Sequence, residues 1–224
     1  MTAGAREDGR VTERPIPPQH PPWGTNVPLT WVTDGDPEYA ALLTEVRGFL
    51  DALASARPEP SESAELAEQL RHWRDRLQRS EIGEHGQVFG RRPDLPSRGN
   101  PMLPDYVVDH VDGETIGAHV RFGRYYLGGG EAVHGGAIPL VLDELLGTLT
   151  NFGARPPSRT AYLTVHFRAL TPLDTDLRLT GQIDRVEGRK TFVTGRVMHG
   201  DVLCADAEAL FVALPPESMR PRGG

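Results

Sequence analysis

An acid set inside an apolar helix that opens on two glycines could carry acyl-transfer chemistry, and the run His134-Gly135-Gly136-Ala137-Ile138-Pro139-Leu140-Val141-Leu142-Asp143-Glu144-Leu145-Leu146-Gly147 has that form. Glycines at a helix start leave backbone N–H groups bare where the first donors lack internal partners and the macrodipole is positive, so such an end can hold an oxyanion. Gly135 N–H is expected to be the main oxyanion donor, with Gly136 beside it as a substrate contact. Ile138, Leu140, Val141, Leu142, Leu145 and Leu146 surround Asp143 in sequence, and an ionised carboxylate among apolar neighbours is costly unless it has a use. Asp143 is therefore expected to act as general base or as nucleophile; the residues alone leave both open. His134 is expected to position the loop rather than to transfer protons. The plainer alternative makes His134 a loop residue, the glycines a tight turn and Asp143 a solvated position.

Asp143 lies about 12 Å beyond Gly135 at the helical rise, too far for both to reach one carbonyl within one helix. Two such helices antiparallel across a twofold axis would set the Gly135 end of one opposite the Asp143 of the other. A homodimer, or a dimer of dimers, is thus the expected active unit.

The helix is expected from about Gly135 to Phe152, preceded by strands over Tyr106–Val111 and Glu114–Phe122. Four more strands are expected over Thr160–Arg168, Asp176–Val186, Lys190–His199 and Val202–Ala213, the last three joined by the tight turns Glu187-Gly188 and Gly200-Asp201. In the first of these, Ala161, Leu163, Val165 and Phe167 share one face and Thr160, Tyr162, Thr164 and His166 the other. Two strands, a long helix and an antiparallel meander pack most simply as an α+β sheet wrapped around the helix.

Upstream, six prolines between Pro15 and Pro28 imply an extended arm over residues 1–34. Asp36-Pro37 is a helix start, and Tyr39, Leu42, Leu43, Val46, Phe49, Leu50 and Leu53 recur at helical spacing. A second helix over Ser61–Arg79 carries Leu66, Leu70, Trp73 and Leu77 on one face. The pair reads as a helical hairpin over 35–80 that packs on the following domain, with a linker over 81–104 rich in Gly, Pro and Arg, a domain over 105–214 and a tail over 215–224.

From about Asp105 to Leu214 the chain resembles the hotdog-fold thioesterase superfamily, in particular its PaaI-like acyl-CoA thioesterases. The resemblance rests on His-Gly-Gly followed by an acid nine residues after the His, on Thr160-Ala161-Tyr162-Leu163-Thr164-Val165-His166-Phe167-Arg168 with Thr171-Pro172-Leu173, and on the hairpin Val186-Glu187-Gly188-Arg189-Lys190-Thr191-Phe192. Some relatives carry an Asn in the loop before His-Gly-Gly, where this chain has Leu127-Gly128-Gly129-Gly130-Glu131-Ala132. The resemblance implies hydrolysis of acyl-CoA without a cofactor, and a catalytic place for Thr160, where related enzymes set a hydroxyl that orients water or the carboxylate. Arg189 and Lys190, at the hairpin tip, could meet the CoA phosphates by charge. Two other classes remain: a hotdog dehydratase or hydratase, whose relatives differ around their catalytic His, and a non-catalytic acyl-CoA-binding sensor, against which the retained Asp143 weighs.

The chain has 224 residues and a formal net charge of -7, which gives no general attraction to nucleic acid. No apolar run reaches membrane-spanning length, and the first residues lack the apolar core of a signal peptide, so no membrane partner and a cytoplasmic location are expected. The one cysteine, Cys204, excludes an internal disulfide and falls in a strand pattern as a small buried residue. His110, His166 and His199, far apart in sequence, make a poor metal site.

Overall fold

The computed structural model describes residues 36–83 and 86–215; the expected arm over 1–34 and nearly all of the expected tail lie outside the described residues. Among these, helices α1 (Pro37–Ser55), α2 (Pro60–Gln78) and α3 (Ala137–Thr150) accompany strands β1 (Asp105–Val111), β2 (Thr115–Arg121), β3 (Leu127–Gly129), β4 (Ala132–Val133), β5 (Ser158–Phe167), β6 (Leu177–Glu187), β7 (Lys190–His199) and β8 (Val202–Ala213). Six strands form an antiparallel sheet in the order β1-β2-β6-β7-β8-β5, wrapped around α3, and β3 and β4 make a separate ribbon. This is the α+β hotdog arrangement.

The order differs from a four-strand meander in one respect: β5 leaves α3 and takes the far edge beside β8, while β6 pairs with β2. Alternation of apolar and polar residues reports which face a strand buries but not whether it lies at an edge.

Ile138, Val141, Leu142, Leu145, Leu146 and Leu149 lie at spacings of three and four and are all essentially inaccessible. Each such side chain contributes about 1.5–3 kcal/mol by leaving water. The helix lies close to the sheet because Gly181 and Gly195, cross-strand partners on β6 and β7, carry no side chain beneath it. A Cβ at Gly181 would lie 2.8 Å from both Ile116 and Leu146.

The N-terminal segment divides. α1 is capped by Asp36, whose Oδ1 accepts the Glu38 N–H at 3.0 Å, and it docks on the main domain. Its Leu43 is buried, and its Arg47 lies 3.5 Å from Asp105 and donates to the Asn100 carbonyl. α2 has no buried residue and does not lie along α1, so only α1 shows the packing expected of both.

Residues 91–104, read from composition as linker, are closely packed. Arg92 is buried and its guanidinium grips Asp94 in two bonds of 2.8 and 2.7 Å. Ser97, Arg98 and Gly99 follow as three left-handed residues with φ of 53°, 53° and 72°. Conformations of this kind cost a non-glycine residue on the order of 1–2 kcal/mol. The tight turn is held where the Ser97 hydroxyl accepts the Tyr106 N–H at 3.1 Å and donates to the Pro104 carbonyl. Composition signalled the turn but not its burial.

Candidate active site

α3 begins at Ala137 with Gly136 as its N-cap, two residues later than the sequence suggests. His134 closes the turn just ahead of this start: its Nδ1 accepts the Gly136 N–H at 3.0 Å and its carbonyl accepts the Ala137 N–H at 2.9 Å. Gly136 N–H is thereby occupied, which corrects its expected role as a second bare donor. Gly135 N–H makes no hydrogen bond among the described residues, and the residue is exposed. The pair of glycines thus supplies one open donor at the positive end of α3.

The loop ahead of His134 is built to seat it. The His134 N–H donates to the Tyr126 carbonyl at 2.7 Å, and Val133 N–H to the Thr171 carbonyl at 2.9 Å. A Cβ at Gly128 would lie 2.6 Å from His134 Cα, so glycine there permits the close approach of two backbones. The turn behind it is braced from α1: Asp51 Oδ1 accepts the Tyr125 N–H at 2.8 Å, and the same carboxylate lies where a side chain on Gly123 would be. Two consecutive residues, Tyr125 and Tyr126, therefore connect α1 to His134.

Asp143 does not lie among apolar side chains on all sides. It sits on the half-exposed stripe of α3 with Leu140, Glu144 and Gly147, opposite the buried stripe. The partner it has is Thr160, whose hydroxyl donates to Asp143 Oδ1 at 2.7 Å. That contact depends on a bulge. β5 slips by one residue against β8 between Thr160 and Tyr162, so that Thr160 pairs with the buried Phe211 and Leu163 with the buried Ala209. Thr160 consequently shares the helix-facing side with Leu163, rather than the outer side with Tyr162 as strict alternation predicts; bulges re-aim side chains in this way.

Glu144, next to the acid, is held by the Arg98 guanidinium at 2.5 Å. Burial pushes the Glu144 carboxyl above its ordinary value; Arg98 works against the rise and the Asp143 carboxylate adds to it. Arg98 comes from the left-handed turn, a contribution with no signature in the sequence. Phe167 is a second addition. Its ring lies 3.6 Å from where a Cβ on Gly135 would be, and the side chain is 56% exposed. Its place on the apolar side of the β5 pattern could have flagged it.

The two halves of the candidate site thus lie at opposite ends of β5. Asp143 and Thr160 occupy one end and Gly135 with Phe167 the other: Thr160 and Phe167 are about 20 Å apart at the rise of a strand, and Asp143 and Gly135 about 12 Å apart along the helix. Arg189 and Lys190 are exposed at the β6–β7 turn. Thr160 pairs with Phe211 and Phe211 with Thr191, the neighbour of Lys190, so the turn lies roughly 10 Å from the Thr160 end, two strand spacings away. Arg189 donates to the Ala213 carbonyl at 3.0 Å. Among the described residues no cluster of His, Cys, Asp or Glu is arranged to hold a metal ion, and no helix is long and apolar enough to cross a membrane.

No family model matches the chain. It is 34% identical over 97 residues to the acyl-coenzyme A thioesterase THEM4 of Bos taurus, covering 42% of this chain and 39% of that protein. Against THEM4 of Mus musculus it is 34% identical over 87 residues, 38% of this chain and 37% of that one. The chain therefore spans about two fifths of the curated relatives it matches. The crystal structure of protein RHA08564, a thioesterase superfamily protein, superposes with a TM-score of 0.68 at 26% identity, covering 80% of this chain and 92% of that one. That overlap is longer than residues 105–214 alone and therefore takes in part of the N-terminal segment as well. Sheet order and central helix are those of the hotdog fold, and the likenesses to THEM4 and to the thioesterase superfamily protein RHA08564 support a hotdog-fold thioesterase.

Proposed function

We propose that the chain hydrolyses acyl-CoA thioesters to the free acid and CoA, in a site shared between two copies. The observation that carries the reading is the division of chemistry along β5: an acid with an oriented hydroxyl at one end, and an unoccupied N–H at a helix start at the other. β5 is a sheet edge. If two β5 edges meet antiparallel about a twofold axis near Leu163 and Thr164, Thr160 of one lies beside Phe167 of the other, and the Asp143 carboxylate faces the Gly135 N–H across the axis. Two equivalent sites result.

In such a site the thioester carbonyl oxygen takes the Gly135 N–H, and one such donor is typically worth roughly 2.7–4 kcal/mol in the transition state. The Thr160 hydroxyl occupies Asp143 Oδ1 and leaves Oδ2 for the reaction. As a base, Asp143 takes a proton from water while the water oxygen bonds to the carbonyl carbon; as a nucleophile, it forms an anhydride that water then opens. In either route the C–S bond breaks and CoA leaves as a thiolate that takes up the proton. Arg189 and Lys190 meet the CoA phosphates, and Phe167 lines the path beside Gly135. The N–H of Gly136, held by His134, fixes the loop instead of touching the oxygen.

A panel of acyl-CoA substrates with detection of the released thiol tests the proposal. Turnover of at least one substrate, lost in Asp143→Asn, is the expected result. Tight binding of acyl-CoA without release of thiol would make the protein a sensor and overturn the reading.

A further inference from the structure

α2 is a 19-residue helix with no buried residue. Leu70, Trp73 and Leu77 on it are 50%, 56% and 64% exposed, and with Leu66 they form a single stripe at spacings of four, three and four. That spacing is the seam of a two-stranded helical pair, and helices in proteins draw most of their stability from packing such an apolar face. The stripe is also self-complementary. Reversed about its midpoint between Arg71 and His72, Leu66 falls on Leu77 and Leu70 on Trp73, so an antiparallel copy fills every layer.

The charges favour the same partner and the same direction. Glu59, Glu62, Glu65 and Glu68 occupy the first half of the segment, and Arg71, Arg74, Arg76 and Arg79 the second, with Asp75 among them. On one flank of the stripe run Glu62, Glu65, Gln69, Arg76 and Arg79. In an antiparallel pair a twofold axis sets this flank against itself in reverse, so Glu62 and Glu65 face Arg79 and Arg76 of the other copy, twice. A parallel pair would instead set this flank beside the other one, with Glu62 and Glu65 beside Ala64 and Ala67 and with Arg76 and Arg79 beside Arg71 and Arg74. Within the chain, Arg74 pairs with Asp75 at 2.7 Å and Arg76 stacks on Trp73 at 4.6 Å, whereas Glu65, Glu68, Arg71 and Arg79 are in no ion pair among the described residues.

We propose that α2 is an assembly element that pairs antiparallel with α2 of a second copy of this chain, with Leu70 and Trp73 at the centre of the contact. The inference stands apart from the proposed chemistry, since α2 contributes no residue to the candidate site.

Cross-linking in the full chain tests it. Cys204 is buried, so the unmodified protein is a quiet background for a short bis-maleimide. In the antiparallel pair two copies of residue 69 are offset by about 8 Å along the axis, and two copies of residue 61 by about 31 Å. Gln69→Cys is expected to give a species of twice the chain mass, and Ser61→Cys at least ten-fold less of it. Adding Leu70→Glu and Trp73→Glu, both at exposed positions, should abolish the Gln69→Cys product without lowering the melting temperature of the main domain. No product from Gln69→Cys, equal products from both positions, or a product that survives the two glutamates would each overturn the proposal.

Discussion

Thr160→Val removes the hydroxyl that holds Asp143 and keeps the shape and strand preference of the side chain. The bond it deletes is 2.7 Å long and ends on a carboxylate; bonds of that kind contribute about 1.5–3 kcal/mol. Thr160 is exposed and Asp143 half-exposed in a single copy, which sets the value at the lower end. A loss near 1.4 kcal/mol is about ten-fold in turnover. Asp143→Asn deletes the base or nucleophile itself and should cost about 10²- to 10⁴-fold. The informative measurement is the double variant. If Thr160 acts by fixing the carboxylate, then once Asp143 is Asn the further change Thr160→Val should cost less than about two-fold, a coupling of roughly 1 kcal/mol. Thr160→Ser should restore turnover to near the parent value. The four variants and the parent are compared by thiol release under single-turnover conditions, with melting temperatures as a control for β5. Equal ten-fold losses from Thr160→Val in both backgrounds would refute the positioning role and leave Thr160 acting on the substrate independently of the acid.

A shared site predicts rescue in mixtures. Asp143→Asn and Gly135→Pro proteins, each inactive alone, should regain about a quarter of parental activity at equal ratio after exchange, because half of the pairs are mixed and one site in each is intact; no recovery after exchange confirmed by mass would place both groups in one copy. Asp51→Ala should lower turnover several-fold with a smaller change in KM, because it frees the Tyr125–Tyr126 turn that holds His134; unchanged turnover would show that β3 and β4 hold the loop without α1. The Arg92 guanidinium beside Asp94 holds that carboxyl below its ordinary value of 3.8. The stability it contributes is therefore present above about pH 4 and lost as pH falls through the lowered value. Asp94→Asn leaves a buried guanidinium without its counter-charge and should cost about 2–3 kcal/mol, since Asp94 is itself partly exposed. It should also flatten the acid limb of the melting curve; an unchanged acid limb would assign that limb to other carboxylates.

The parts of the site that could be read from the sequence are those whose geometry is local. His134, Gly135 and Asp143 lie within ten consecutive positions, and helical spacing alone orders them. The environment of Asp143 was legible too, had the stripe been drawn first: residues 138, 141, 142, 145, 146 and 149 define the buried side, and 143 falls off it. Thr160 is the opposite case. Its residue type and place in the strand were visible, but the face it uses is decided by one bulged residue, Ala161, and a period-two pattern has no term for a slipped register. Arg98 and Asp51 were beyond reach, because they meet their partners across 46 and 74 residues through a left-handed turn and a docked helix that leave no periodic trace. The edge position of β5 was hidden for a related reason, since its exposed Tyr162 and Phe167 read as ordinary strand residues.

Those two long-range contacts give the N-terminal extension a structural role that composition alone did not suggest. α1 reaches the backbone that carries His134, and the turn at residues 97–99 reaches Glu144, the neighbour of Asp143. The turn in turn depends on α1: Gly99 approaches Leu43 and Tyr39 so closely that a Cβ there would lie 3.4 Å from each, and Arg92 donates to the Asp36 carbonyl at 3.3 Å. Removing α1 therefore unseats both supports at once, one at the start of α3 and one at its middle beside Asp143. Its loss should be felt as misplacement of the oxyanion donor and the acid together, whereas loss of α2 should leave both in place.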